Sequence, residues 1–205
     1  MKILMINGSP HLKGNTQIAF EEMIKIFDEQ GIETEVLHIG NKDIRGCVGC
    51  MSCKKTGQCV FRDIVNETAA KLDEYDGIVI GSPVYFGSAN ATVTAFMDRL
   101  FYSTTSDLTM KVGASVVVAR RGGLSATFDQ LNKYFTIRNM PIASSQYWNS
   151  VHGKEAGEAT EDVEGLQVMR VLARNMSFLV KSIDLGKKAF GLPEKEVMTK
   201  TNFVR

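Results

Sequence analysis

The chain has 205 residues, with 24 Lys and Arg against 23 Asp and Glu, a formal net charge of +1 and 44% hydrophobic residues, the composition of one soluble globular domain. That balance excludes the clustered basic face of a nucleic-acid binder and the charge excess of disordered or acidic-tail segments, and no run of about 18 apolar residues offers a membrane span. A domain of this length buries roughly 70% of its unfolded surface and needs no disulfide or metal to hold a core, so its 4 cysteines require another explanation.

Along the chain, Ile3 to Ile6 is a continuous apolar run of the kind found in parallel strands covered on both faces. It is too short for a secretory signal, so the expected compartment is the cytoplasm. A Gly-rich loop then leads to a helix with Ile18, Met23, Ile26 and Phe27 at helical spacing. Ile32 to Ile39 is interrupted by Glu33, Glu35 and His38, as in an edge strand. After a Cys-rich insert over residues 46–60 come a helical segment with Ile64, Ala69 and Leu72, a third strand at Ile78 to Ile80, and a helix with Val93, Phe96, Met97 and Leu100. The fourth strand is Val112 to Ala119, followed by a helix with Phe128, Leu131 and Phe135; the fifth is Pro141 to Trp148. Leu166, Met169, Leu172, Met176, Leu179 and Ile183 mark a last amphipathic helix. Residues 186–205, with Pro193 and mixed charges, read as an extended arm attached to one domain over residues 1–185. Alternating β and α elements imply an α/β fold, a parallel sheet with right-handed crossovers and helices on both faces.

Ligands of such sheets bind beyond the carboxyl ends of the strands, where the strand order reverses. The loop Gly8-Ser9-Pro10-His11-Leu12-Lys13-Gly14-Asn15-Thr16 lies there, and its N–H groups, hydroxyls and helix N-terminus suit a phosphate. The residue after Gly14 is Asn15 and not the Walker lysine, and Gly8 is followed by Ser-Pro and not by the start of a dinucleotide fingerprint. A terminal monophosphate remains. The loop Gly81-Ser82-Pro83-Val84-Tyr85-Phe86-Gly87-Ser88 leaves two aromatics and a proline at the same edge, a surface for a flat ligand. Loops from strands one and three meet at the switch point of the order 2-1-3-4-5. Arg120-Arg121-Gly122 follows strand four and offers cations and N–H groups to the electron-rich edge of a reduced flavin; surface charge is the competing reading.

Gly8-Ser9-Pro10, Asn15-Thr16, the stretch from Asp76 to Gly87 and Asp98-Arg99 resemble the NADPH-dependent FMN reductase and multimeric flavodoxin group of the flavodoxin-like superfamily. The resemblance implies a flavodoxin-like three-layer sandwich with a five-stranded parallel sheet. It implies FMN as cofactor, its phosphate held by Ser9, Asn15 and Thr16 beside Pro10, and its ring lined by Pro83, Val84, Tyr85, Phe86 and Gly87. It also implies a homodimer or homotetramer. Where relatives carry an arginine in the first loop, this chain has His11 and Lys13.

All cysteines fall in Cys47-x2-Cys50-x2-Cys53-x5-Cys59. Cytosolic chains seldom keep disulfides, which favours metal or redox use. The fourth cysteine of a bacterial ferredoxin run serves a second cluster, whereas the longer last gap here lets all four hold one. The spacing resembles that of the iron-sulfur flavoproteins, which implies a 4Fe-4S cluster beside FMN. Structural zinc and free thiols are the other readings. Lys54 and Lys55 would offset the charge of a thiolate-held cluster.

Trp148 and His152 follow strand five at the same edge, placed to stack on and protonate a quinone-like acceptor; for Trp148, a loop anchor or subunit contact is the alternative. The expected function is an FMN-dependent oxidoreductase passing electrons from NAD(P)H or reduced ferredoxin to a small acceptor such as a quinone. The alternative is an electron carrier without its own substrate. The +1 charge lacks the acidic field that steers a carrier to basic partners.

Overall fold

The structure, a computed structural model, describes residues 1–203. Its elements are β1 (Lys2–Asn7), α1 (Asn15–Glu29), β2 (Glu33–His38), α2 (Ser52–Thr56), α3 (Ile64–Ala69), β3 (Gly77–Tyr85), β4 (Ser88–Ala89), α4 (Ala91–Ser103), β5 (Val112–Ala119), α5 (Leu124–Thr136), β6 (Ser150–His152) and α6 (Val163–Phe190). Short 3-10 turns lie at Leu72–Glu74 and Glu158–Glu161. The parallel strands stand in the order β2-β1-β3-β5-β6, and β4 pairs antiparallel with the end of β3. With that hairpin strand set aside, this is the flavodoxin-like order expected from the sequence.

Alternate residues of a strand point to opposite faces, and here both faces are covered. Ile3 and Met5 of β1, with Val79 and Val116, pack against Phe20, Met23 and Phe27 of α1 and Met169, Leu172 and Met176 of α6. Leu4 and Ile6, with Ile78, Ile80 and Val117, pack against Val93, Phe96, Met97 and Leu100 of α4 and Leu131 and Phe135 of α5. β1, β3 and β5 are therefore covered on both faces, which is why they read as apolar runs. β2 contains no buried residue, as its edge position requires, and Lys2 reaches across to Glu33 and Glu35 at 3.4 and 2.9 Å.

Two expectations need correction. The fifth strand does not run from Pro141 to Trp148. Gly113 donates to the Pro141 carbonyl and accepts from the Ala143 N–H, an isolated bridge. The ladder then breaks because α6 claims the next residues: Ser145 Oγ donates to Val168 O at 2.7 Å, and Asn175 Nδ2 donates to Ser144 O at 2.8 Å. Pairing resumes as β6, where Val117, Val118 and Ala119 meet Ser150, Val151 and His152. The second correction concerns the arm. Gly186 does not end the last helix, which continues to Phe190 and stops at Gly191 with φ of 80°. Lys187 and Lys188 in its last turn complement the helix dipole, and Lys188 pairs with Asp184 one turn back at 2.7 Å. Of the residues beyond, Val204 and Arg205 lie outside the described ones.

The β3–β4 hairpin turns on Phe86 and Gly87, with φ of 51° and 76°, the paired left-handed residues of a type I′ turn. Asn is favoured at the first of these positions, and a bulky side chain in the left-handed region costs about 1–2 kcal/mol. Phe86 is fully exposed, so no packing within the chain offsets that cost. Phe86→Asn is expected to raise the unfolding free energy by about 1 kcal/mol. Urea titration checks it at protein concentrations low enough that the midpoint no longer depends on concentration, and a loss of stability there would contradict the strain assigned to this turn.

Candidate functional site

Asn7, the last residue of β1, is fully buried. Its Oδ1 accepts from the Ser9 N–H at 2.9 Å, and its Nδ2 donates to Gln17 Oε1 at 3.0 Å, so the strand end shapes the loop that follows. The Ser9 hydroxyl accepts from the His11 N–H at 3.2 Å. The N-cap of α1 is Gly14, which offers no side chain to the first N–H groups of the helix. The N–H groups of Asn15 and Thr16 meet no acceptor among the described residues. Unpaired N–H groups at a helix N-terminus form an anion site.

The loop after β3 is held against this one by Asn90. Its Nδ2 donates to Gly8 O at 2.5 Å, its N–H donates to Ser82 Oγ at 3.1 Å, and its Oδ1 caps α4 by accepting from the Val93 N–H. The Gly8 N–H donates to Gly81 O at 2.9 Å. Asn90 was absent from the residues expected at the site; its position just before an apolar-periodic helix is the N-cap signal that points to it. Gln130 of α5 fixes the hairpin, its Oε1 accepting from Ser88 Oγ and the Ala89 N–H at 3.0 and 2.9 Å.

These loops line an open cleft of about 450 Å³. Of the expected cofactor residues, Ser9, Pro10, Asn15, Thr16, Pro83, Val84, Tyr85 and Arg120 line it, joined by His11 from the first loop and Lys154 from the loop after β6. Phe86, Gly87, Arg121 and Gly122 do not line it. The Asn15 side chain is engaged away from the cleft, while its backbone N–H stays free among the described residues. Its Nδ2 donates to Glu155 O at 2.9 Å, and its Oδ1 accepts from the N–H groups of Gly157 and Ala159 at 3.1 and 3.2 Å. The carboxamide thus pins the loop carrying Lys154 to α1.

Trp148 and His152 also lie off the cleft wall. Trp148 packs edge-on against Tyr147 with ring centroids 4.9 Å apart. His152 turns its Nδ1 toward Asp162 Oδ2 at 3.3 Å. Asp162 in turn accepts from the His152 N–H at 2.6 Å and caps α6 through the Gly165 N–H at 2.9 Å. Burial raises the Asp162 pKa, but the Gly165 and His152 bonds outweigh it, so the carboxyl titrates below its usual range. A carboxylate depressed in the folded state stabilises above its unfolded pKa, near ~3.9, and that stability is lost as pH falls through the folded value. Asp162→Ala is expected to cost about 1–2 kcal/mol at neutral pH and to flatten the loss of stability below about pH 4; urea titrations from neutral to acid pH check both.

The cysteine loop makes a separate site. Gly49, Met51 and Gly57 have φ of 65°, 59° and 72°, and the path they set brings Cys47, Cys50, Cys53 and Cys59 around one small apolar pocket with Phe61, Arg99, Tyr102 and Ser103. The Arg99 side chain is fully buried and uses all its donors. Nε donates to Cys59 Sγ at 3.2 Å, Nη1 to Arg45 O and Asp63 Oδ2 at 3.2 and 2.6 Å, and Nη2 to Phe61 O and Asp63 Oδ1 at 3.0 and 2.9 Å. Burial opposes its charge, but the Asp63 and Cys59 bonds prevail and raise its pKa. In the sequence Arg99 stands out only as part of Asp98-Arg99. Among the described residues no group of three His, Cys, Asp or Glu is placed to hold a metal ion. The donor set nonetheless suits a sulfur-rich centre: thiols around an apolar cavity, a guanidinium N–H on one sulfur, and a buried Ser103 hydroxyl with no partner. The cysteine cavity and the cleft share no lining residue. Arg99 stands about 14 Å along α4 from Asn90.

Residues 1–155 match the NADPH-dependent FMN reductase family. An iron-sulfur flavoprotein of Methanocaldococcus jannaschii is 36% identical over 191 residues, covering 89% of this chain and 99% of that protein. A crystal structure of RosB with a bound formylated riboflavin phosphate intermediate superposes with a TM-score of 0.72 at 15% identity, over 100% of this chain and 94% of that one. An NAD(P)H:quinone oxidoreductase of Methanothermobacter marburgensis does so at 0.66 and 14%, over 86% and 96%. The two structures speak for the fold, and the family match and the sequence relative carry the assignment. The chain belongs to the NADPH-dependent FMN reductase family, as an FMN-binding flavoprotein grouped with the iron-sulfur flavoproteins.

Proposed function

We propose that the chain is an FMN-dependent oxidoreductase that passes electrons from NAD(P)H or reduced ferredoxin to a small acceptor such as a quinone, with a 4Fe-4S cluster held by Cys47, Cys50, Cys53 and Cys59. The observation that carries this reading is the presence, in one chain, of a cleft ready for a phosphate and a cavity ringed by four thiols. When bound, FMN supplies exchange between hydride and single-electron chemistry, and a cluster moves electrons singly.

The residues of this chain have distinct duties in that reading. The N–H groups of Asn15 and Thr16, with the Ser9 and Thr16 hydroxyls, receive the FMN phosphate, and Lys154 adds a cation. Pro83, Val84 and Tyr85 hold the ring, and Arg120 meets its electron-rich edge. Phe86 projects beyond the cleft on the same hairpin; its complete exposure supports assembly into a homodimer or homotetramer in which another copy covers it. His152, held by Asp162 and half-exposed, remains available to move a proton to an acceptor.

Anaerobic steady-state oxidation of NADPH and NADH by the FMN-loaded protein, with a quinone as acceptor, tests the activity. Turnover on the order of 1–100 s⁻¹ is expected. Absence of turnover with both nicotinamides would sink the reductase reading.

A further inference from the structure

We propose that Arg99 and Ser103 are positioning residues for the cysteine-held centre: hydrogen-bond donors on one face of α4 that stabilise its sulfur atoms and raise its reduction potential. The inference rests on the cluster reading above.

Residues four apart on a helix share a face, and Arg99 and Ser103 both turn theirs toward the cysteine cavity. Arg99 already donates its Nε–H to Cys59 Sγ. Its remaining donors bind Asp63 and the carbonyls of Arg45 and Phe61 on either side of the cysteine run, so the guanidinium cannot swing away from the sulfur without breaking the frame of the loop. Ser103 supplies the second, independent observation. A serine inside a helix ordinarily returns its hydroxyl to the carbonyl four residues back. The Ser103 hydroxyl does not; it is buried, lines the cavity and has no partner. A buried unpartnered hydroxyl is costly, and a sulfur acceptor in the cavity would satisfy it.

A centre held by four thiolates is anionic, and reduction adds one electron and one more negative charge. Donors aimed at its sulfur atoms stabilise the reduced form more than the oxidised form and thus raise the potential. Asp63 neutralises the Arg99 charge at a distance, while the N–H remains directed at Cys59.

The full-length protein, reconstituted anaerobically with iron, sulfide and FMN, is titrated with dithionite through redox mediators for the parent chain, Ser103→Ala, Arg99→Gln and Arg99→Lys. Both Ser103→Ala and Arg99→Gln should shift the cluster midpoint to lower potential and leave the FMN midpoint in place, with Arg99→Lys between Arg99→Gln and the parent. Loss of iron to a chelator should quicken about tenfold in Arg99→Gln. Unchanged cluster midpoints in variants carrying full iron would overturn the proposal while leaving the cluster reading intact. A parent chain that takes up no iron would overturn both. Ser103→Ala removes one oxygen and no frame contact, so its midpoint decides the matter even if Arg99→Gln fails to fold.

Discussion

Gly40→Ala is expected to strip FMN from the protein although Gly40 does not line the cleft. A β-carbon on Gly40 would stand 1.9 Å from the Ser9 carbonyl oxygen, 2.1 Å from its carbon and 2.5 Å from Gly8 O. These are backbone atoms, so no rotamer change relieves the clash, and the phosphate loop must retreat by more than an ångström. A displacement of that size typically costs about a hundredfold where geometry governs function, and overpacking costs about 1–3 kcal/mol of stability. FMN fluorescence quenching against the apoprotein measures the affinity. Gly46→Ala, where a β-carbon meets nothing within 4 Å, serves as control and should bind as the parent does. An affinity for Gly40→Ala within twofold of the parent would show that the loop's position does not govern binding.

The second large effect is expected at Asp63. Its carboxylate pairs with the fully buried Arg99 side chain through both oxygens and also caps α3 by accepting from the Val65 N–H at 3.1 Å. Asp63→Ala leaves a buried guanidinium without its counter-charge, for which about 3–5 kcal/mol is the usual penalty. Because Arg99 also braces Arg45 and Phe61, the cysteine loop should loosen, and iron retained after reconstitution should fall with the stability. Asp63→Asn keeps a cap and a hydrogen-bond acceptor and is expected to lose less. Urea unfolding and iron assay give both quantities; a loss below about 1 kcal/mol would mean that the pair behaves as a surface salt bridge.

The parts of the fold legible in the sequence were those whose burial is symmetric. β1, β3 and β5 are covered on both faces, and α1, α4, α5 and α6 each bury one stripe, so their hydrophobic patterns are direct records of their surroundings. The broken fifth strand was not legible, because Ser145 and the Asn175 partner of Ser144 act across the fold and leave no mark on local pattern. Pro193 and the mixed charges make residues 186–205 read as an arm, yet the helix runs one turn further, to Phe190, with Lys187 and Lys188 in its last turn. At the site, residue types announced the first loop, while the uses of individual side chains depended on contacts distant in sequence. The Asn15 carboxamide holds residues 155–159, a contact across the fold that leaves no mark on local pattern. Arg99 sits within an apolar helix period, and its meaning emerges only when α4 packs on the cysteine loop.

Whether one chain carries both a flavin and a cysteine-held cluster is tested most directly by composition. Anaerobic purification and reconstitution with FMN, iron and sulfide, followed by assay and an absorption spectrum, should give about four iron and four sulfide per flavin, with a broad cluster absorbance beneath the flavin bands that bleaches on reduction. Stoichiometric FMN with iron and sulfide near zero would contradict the cluster reading and leave a flavoprotein whose cysteines are free thiols.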